Sequence, residues 1–322
     1  MNIAFIGNIT NDLTVSGEKF IEEGGRVSFF EDEVTSTVGG PAANACSVAV
    51  KFNKDSKHNI DFYGQIGNDA NGKFILDEIL KESIDMNHIN ITNNVMTPFS
   101  FIIINRTDNT RTICSVRSRK DYTNPKIENI EYETKYDYIL TDGKYVEDSI
   151  ELIKKNPQAT SIIDAGRVND GILRLCHIID YIICSDDFAE KVTGIKLGNP
   201  ANDYLAYKKL KETFPDAKGI TITVGARGYI CEENNQVVNY PAFNSGKPAI
   251  DTNAAGDIFH GGFTYAMASG YDYHDSLRFA NITASLSTTK VGGRKSCPEL
   301  EEVNSFFKGD DLNNDKAKIL IR

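Results

Sequence analysis

Tyr181-Ile-Ile-Cys-Ser-Asp-Asp-Phe-Ala-Glu-Lys-Val-Thr193 carries one complete step of the fold: an apolar, β-branched run, Tyr181 to Ile183, passes into a helix-like stretch, Asp186 to Thr193. A short run that is apolar without alternation suits a strand covered on both faces, as in a parallel sheet. The step repeats in both directions. Upstream lie the strand-like runs Ile3 to Ile6, Ile60 to Tyr63, Tyr138 to Leu140 and Ser161 to Ile163, and downstream Gly219 to Val224. Between them fall helix-like stretches: Pro41 to Phe52, Asn71 to Glu82, Val146 to Lys155, Asn202 to Phe214, and the long segment after Ala254. This alternation predicts an α/β fold, a doubly wound and mostly parallel sheet forming one domain over residues 1–322, with ligands outside the carboxyl ends of the strands.

Two stretches break the rhythm. Val27 to Val38 and Thr97 to Val116 alternate polar and apolar side chains, and Asp108-Asn109 gives a tight-turn signal inside the second. Such patterns predict antiparallel strands with one wet face. Both flank Gly39-Gly40, so segments of about 13–38 and 95–121 are expected to form a small antiparallel β lid over a site, the alternative being an ordinary edge hairpin.

Composition narrows the partners. Hydrophobic residues make up 40% and charged residues 25% of the 322, as in ordinary globular chains. A net charge of -10 argues against nucleic acid, whose binders cluster Lys and Arg to displace counterions. No apolar run reaches the ~18 residues that span a bilayer, and the N-terminus opens on Asn2-Ile-Ala-Phe-Ile-Gly7 rather than on a signal peptide. Six scattered cysteines form no Cys-x-x-Cys pair. A reducing, cytoplasmic compartment is expected.

The chemistry concentrates at Asp251-Thr-Asn-Ala-Ala-Gly-Asp257, followed at helical spacing by Ile258, Phe259, Phe263 and Met267. Unpaired N–H groups and the helix dipole make a helix start suited to phosphate, and Ala254, Ala255 and Gly256 offer little side chain to obstruct it. A carboxylate in that first turn also reads as an ordinary cap. Chemistry alone leaves the two readings for Asp257 evenly matched. The glycine pair Gly261-Gly262 costs about 1 kcal/mol per residue in helix propensity, which suggests close approach of a backbone or a ligand.

The segment resembles the Asp-Thr-x-Gly-Ala-Gly-Asp signature of the ribokinase-like (PfkB) carbohydrate kinases, and other family motifs follow in order along the chain. Gly7-Asn-Ile-Thr-Asn-Asp12 is similar to the first-strand motif, and Gly39-Gly-Pro-Ala-Ala-Asn44 to the glycine-pair signature. Gly67-Asn-Asp69-Ala-Asn-Gly72 resembles a Gly-x-Asp-x-x-Gly turn, and Thr223-Val-Gly225-Ala-Arg-Gly228 the nucleotide-side strand and turn. The resemblance implies an ATP-dependent sugar kinase with Mg²⁺ arriving with ATP. Asp257 is then the base for the attacking hydroxyl, and the amides of Ala254, Ala255, Gly256 and Asp257 form the anion hole. It implies sugar contacts from Asp12, Gly39, Gly40 and Asn44, and nucleotide contacts from Thr223, Gly225, Gly228 and Asn281. Asp251 and Asn253, with the loop from Lys290 to Ser296, are implied as a monovalent cation (K⁺) site. A small-molecule sugar is the expected partner, with a homodimer through the lid.

The chain departs from the pattern twice. Ala254 replaces a glycine, which is strained if φ is positive there. Ser185-Asp-Asp-Phe188 stands where the family often carries Asn-x-x-Glu to organise Mg²⁺, with Asp186, Asp187 or Glu190 as substitutes. Gly67 to Phe74 nearly spells a Walker A loop, but Phe74 stands where Ser or Thr would reach Mg²⁺. The five histidines share no metal spacing, and no serine stands in a Gly-x-Ser-x-Gly elbow.

Arg117 and Arg119 would share one face of a strand, and with Arg119 contacting substrate a sugar acid or sugar phosphate rivals a neutral ketose or pentose. Surface ion pairing is the plainer account of both. Two rivals stand beside the sugar kinase. One is a nucleoside kinase stacking a base on Phe99, Phe101 or Tyr122; the other is a non-catalytic sugar or nucleotide sensor.

Overall fold

The computed structural model describes residues 1–18, 25–82, 84, 88–107, 110–119, 125–308 and 318–320. Its centre is a ten-stranded sheet. Seven strands are parallel, in the order β5 (Ile89–Thr92), β4 (Asn59–Gly67), β1 (Asn2–Ile6), β8 (Tyr138–Thr141), β9 (Thr160–Ala165), β10 (Tyr181–Ser185) and β11 (Gly219–Thr223). Antiparallel strands β12 (Tyr229–Glu233), β13 (Gln236–Tyr240) and β14 (Lys318–Ile319) extend one side. The doubly wound parallel sheet is the predicted one, and each strand-like run lies within a strand or overshoots it by one residue. Among the described residues no helix is long and apolar enough to cross a membrane.

Helices α1 (Pro41–Phe52), α2 (Ala70–Lys81), α3 (Val146–Lys155), α4 (Asp170–Cys176), α5 (Asp186–Thr193) and α6 (Pro200–Thr213) follow the strands, and α7 (Ala255–Ala268), α8 (Tyr273–Ser287) and α9 (Leu300–Phe307) close the chain. Side-chain oxygens set several starts: Asp69, Asn169, Ser185, Asn199 and Asp272 each accept an amide N–H of the first turn. Such a cap contributes ~1 kcal/mol. Asp69 also accepts Thr97 N–H at 2.9 Å, and a Cβ on Gly72 would lie 2.1 Å from the Gly67 carbonyl oxygen. The Walker-like stretch is therefore a tightly folded helix entry.

Helix α7 is buried from Ile258 to Ala268. Ile258, Phe259 and Phe263 each contribute about 1.5–3 kcal/mol by leaving water. The Gly261-Gly262 pair is explained by helix packing rather than by a ligand. A Cβ on Gly261 would lie 2.5 Å from the Ala45 carbonyl oxygen of α1, and one on Gly262 would crowd Ala280 and Thr283 of α8 at 3.3–3.4 Å.

The second sheet runs β3 (Val34–Gly39), β2 (Thr10–Gly17), β6 (Phe99–Asn105), β7 (Thr110–Val116). Its outer pairings are antiparallel and its central one, β2 with β6, is parallel. The alternation over Val27 to Val38 overshoots: only Val34–Gly39 is strand, and Glu31–Glu33 form a short 3-10 turn. Glu33 causes this, its carboxylate accepting the Phe30 N–H at 2.9 Å and its own N–H reaching the Phe30 carbonyl at 3.0 Å. The Asp108-Asn109 turn and Tyr122 lie outside the described residues.

Candidate active site

A cavity of about 340 Å³ opens where the carboxyl ends of β1, β8 and β9 meet the starts of α1 and α7, with the second sheet over it. Ser100, Ile102, Ile113 and Ser115 line it from β6 and β7. Asp12, Gly39, Gly40, Asn44, Asn253, Ala254 and Asp257 are all at its wall, so three sequence segments predicted to share a site do so.

The glycine pair is shaped by contact. A Cβ on Gly39 would sit 1.9 Å from Asp12 Oδ2, and Gly40, with φ +103°, lies so near Asn8 that a Cβ would be 2.3 Å from its carbonyl oxygen. Burial pushes the Asp12 carboxyl up to about 6, against the lowering effects of the Ser100 hydroxyl, the Arg294 charge and the Thr10 hydroxyl. Asp12 Oδ1 and Asn44 Oδ1 are buried acceptors with no protein donor among the described residues. Leaving such atoms unpaired is costly, so both are suited to ligand hydroxyls.

Asp257 lies in the first turn of α7, its Oδ2 accepting the Asn44 Nδ2–H at 2.6 Å. The residue keeps some surface on the cavity, yet protein encloses its carboxyl on most sides. That burial is the main reason it is pushed up to about 7; the Asp164 charge and, less, Asp142 add to it, while Asn44 and His260 oppose. A carboxylate so poised near neutrality is suited to take up a proton. Ala254 caps the helix at φ 60°, ψ 8°, the left-handed conformation that its Cβ disfavours. Of the four amides expected to bind anion, Ala255 N–H is turned back to the Thr252 carbonyl at 3.3 Å. Those of Gly256 and Asp257 carry no acceptor among the described residues, and a Cβ on Gly256 would meet nothing within 4 Å.

Two carboxylates at the cavity wall escape motif reading. Asp142, after β8, accepts N–H groups of Asn8 at 2.8 Å, Lys144 at 2.9 Å and Ala42 at 3.3 Å, and burial nonetheless raises it. Asp164 sits near the end of β9. Their one sequence signal is an acid at the carboxyl end of a parallel strand, where doubly wound sheets bind ligands.

The arginines need correction. Strand β7 stops at Val116, so Arg117 and Arg119 share no strand face. Arg117 lines the cavity with Arg167 and Arg294, whereas Arg119 is exposed outside its lining.

The residues assigned to nucleotide lie outside this cavity, near the carboxyl end of β11 and on α8. Thr223 Oγ1 donates to the Cys184 carbonyl at 3.2 Å, and Gly225 opens a short turn at φ +58°. Gly228 is needed for packing, since a Cβ there would fall 2.0 Å from the Tyr240 carbonyl oxygen. Asn281 is buried, its Nδ2–H donating to the Pro241 carbonyl at 2.9 Å.

The fit of cations is uneven. Asp251 does meet the 292–293 loop, but Oδ1 accepts the Asn253 N–H at 2.8 Å while Oδ2 accepts Gly292 N–H at 3.0 Å and Gly293 N–H at 3.4 Å. Those bonds fix the carboxylate and leave Oδ1 a lone pair beyond the one that the Asn253 N–H takes. Each substitute for Asn-x-x-Glu has one oxygen already engaged within or beside its own helix. Ser185 caps α5, Asp186 accepts the Asp187 N–H at 2.8 Å, Asp187 pairs with Lys191 at 2.7 Å, and Glu190 accepts the Leu197 N–H at 2.9 Å. Among the described residues no group of three His, Cys, Asp or Glu side chains is placed to hold a metal ion.

The sequence profile of the pfkB family carbohydrate kinases matches residues 1–300. The ribokinase of Haemophilus influenzae is 27% identical over 316 residues, covering 95% of this chain and 98% of that one. Among solved structures, Arabidopsis thaliana ribokinase complexed with ribose and ATP superposes with a TM-score of 0.79 at 20% identity, over 96% of this chain and 99% of that one. Burkholderia thailandensis nucleoside kinase in complex with inosine superposes with a TM-score of 0.73 at 17% identity, over 96% of each. At such identities the superpositions bear on the fold alone, whereas the profile spans nearly the whole chain: the protein belongs to the pfkB family of carbohydrate kinases, and it is an ATP-dependent carbohydrate kinase.

Proposed function

We propose that the protein transfers the γ-phosphoryl group of ATP to a hydroxyl of a sugar or sugar derivative held between Asp12, Asn44 and the Gly39-Gly40 pair. The observation that carries this is Asp257, fixed by Asn44 at the mouth of α7 and poised near neutrality. The substrate hydroxyl oxygen bonds to the γ-phosphorus, the bond to the β,γ-bridging oxygen breaks, and the hydroxyl proton passes to Asp257. The Gly256 and Asp257 amides at the start of α7 face the charge of the transferring group. Mg²⁺ enters with ATP as part of that substrate. Thr223, Gly225 and Asn281 are the expected nucleotide contacts, and Asp251 and Asn253 the expected contacts of K⁺.

A substrate bearing an acidic group is favoured by Arg117 and Arg167 at the cavity wall, where Arg294 is already paired with Glu82 at 2.7 Å. Base stacking as in a nucleoside kinase has less support: Ser100 and Ile102 face the cavity, so Phe101, between them on β6, points to the opposite face. A purely binding role does not call for a buried carboxylate poised near neutrality at the mouth of α7. The second sheet is the surface expected to join a homodimer, and six unpaired thiols suit a reducing, cytoplasmic compartment.

The test is ADP release with ATP and a panel of neutral sugars, sugar acids and sugar phosphates. For the best acceptor, kcat/KM is expected to fall as pH drops below about 7, because the base must be ionised to accept a proton. Asp257→Asn is expected to lower turnover by ~10²–10⁴-fold with calorimetric sugar binding retained. Full activity in that variant would end the assignment.

A further inference from the structure

His260 lies three residues after Asp257, one helical turn along the same face of α7. It is 4% exposed. Its Nδ1 is 2.7 Å from the Gly256 carbonyl oxygen and 3.5 Å from Asp164 Oδ2, and its Nε2 is 3.2 Å from the Ile183 carbonyl oxygen. Every one of these neighbours accepts hydrogen bonds and none donates. A neutral imidazole has a single N–H and would turn a lone pair on one of the two carbonyls, in a place closed to water; the doubly protonated ring serves both.

The surroundings call for that charge. Asp164 faces the ring from β9 and Asp257 from α7 itself, with Asp142 of the cavity wall acting on Asp257, while the Cys184 thiol of β10 is held neutral by its burial. The contact with Gly256 has a second consequence. That carbonyl belongs to the peptide whose N–H is the Asp257 amide, so a charged donor on its oxygen polarises the group that faces phosphate.

Resting on the assignment of Asp257 as base, we propose that His260 is a positioning residue for phosphoryl transfer: an imidazolium clamped between the Gly256 and Ile183 carbonyls. It supplies fixed positive charge beneath Asp164 and Asp257, keeps Asp257 able to accept the substrate proton, and orients the Gly256–Asp257 peptide toward the phosphoryl group.

The first measurement is the pH profile of kcat/KM for the whole protein and for His260→Gln, which keeps similar reach and donors without the charge. The acid limb is expected to move up by about one pH unit, so that activity at pH 6.5 falls about tenfold while above pH 9 it stays within about threefold of the parent. A loss equal at all pH values, with the limb unmoved, would show a packing role and overturn the proposal. The second measurement is long-range ¹H–¹⁵N correlation on the histidine-labelled parent protein at pH 7. Protons on both His260 nitrogens are expected, and a single protonated nitrogen overturns the proposal even if the variant fails to fold. Activity retained in Asp257→Asn would instead remove the base assignment and leave the spectroscopic result standing.

Discussion

Asp257 and Ala254 stand three residues apart in the same turn, one proposed as the base and the other in a left-handed conformation. A left-handed residue with a Cβ costs roughly 1–2 kcal/mol over glycine, and such strain persists where surrounding contacts over-determine the backbone. Ala254 is held by its carbonyl, which accepts the Ile258 N–H at 2.8 Å to start α7. Ala254→Gly is therefore expected to raise the stability of the protein by about 0.5–1 kcal/mol, once the greater freedom of glycine in the unfolded chain is subtracted. Turnover should remain within a few-fold. Chemical denaturation checks it: an unchanged or lower midpoint at constant slope would mean that the alanine is not strained. Asp257, Asp12, Gly39, Gly40 and Asn44 were legible because each sits in a motif with its own spacing. Asp142, Asp164 and His260 were not, since a lone acid after a strand or a lone histidine in a helix has no local pattern. Arg119 misled because its value depended on where β7 ends, which pairing with β6 decides.

At the scale of elements, glycines record where backbones must touch. Gly39 is the sharpest instance, because β3 brings it against the Asp12 side chain from the neighbouring strand β2. A methyl group there would collide with the carboxylate at 1.9 Å, and Asp12, half-buried and short, has little room to swing aside. Gly39→Ala should raise the KM for the sugar at least tenfold while leaving the KM for ATP within about twofold, at a cost in stability of ~1–3 kcal/mol. Steady-state kinetics with each substrate varied in turn will tell, and an unaltered sugar KM would remove Asp12 from the binding site. The buried parallel strands and their helices were legible because continuous apolar runs and Asx caps are local signals. Strand β2 was not, since Thr10-Asn-Asp-Leu-Thr-Val-Ser-Gly17 is too polar to declare itself without partners, and its parallel pairing with β6 joins segments some 88 residues apart, as Asn11 with Phe99 shows.

The molecule as a whole leaves one sheet with work undone. Among the described residues the second sheet ends on one side at β7, whose residues from Thr112 to Val116 are exposed, Ile113 by 51% and Val116 by 39%. An edge strand with apolar side chains and a free row of backbone donors and acceptors is a ready surface for another strand, and proteins seldom leave one open. A second copy is the occupant that satisfies it most simply, since a two-fold axis lets the same edge serve both partners. Ile113 and Ser115 also line the cavity, so pairing at this edge would steady the wall above the sugar. Sedimentation equilibrium is therefore expected to give twice the mass of one chain. Val116→Glu, which buries a charge at the joined edge, should yield a monomer whose sugar KM rises several-fold. The core lies in the other sheet, so the thermal transition of that monomer should stay close to the parent's. A parent protein that sediments as a monomer, or a Val116→Glu variant that remains a dimer, would mean that β7 is not the joining edge.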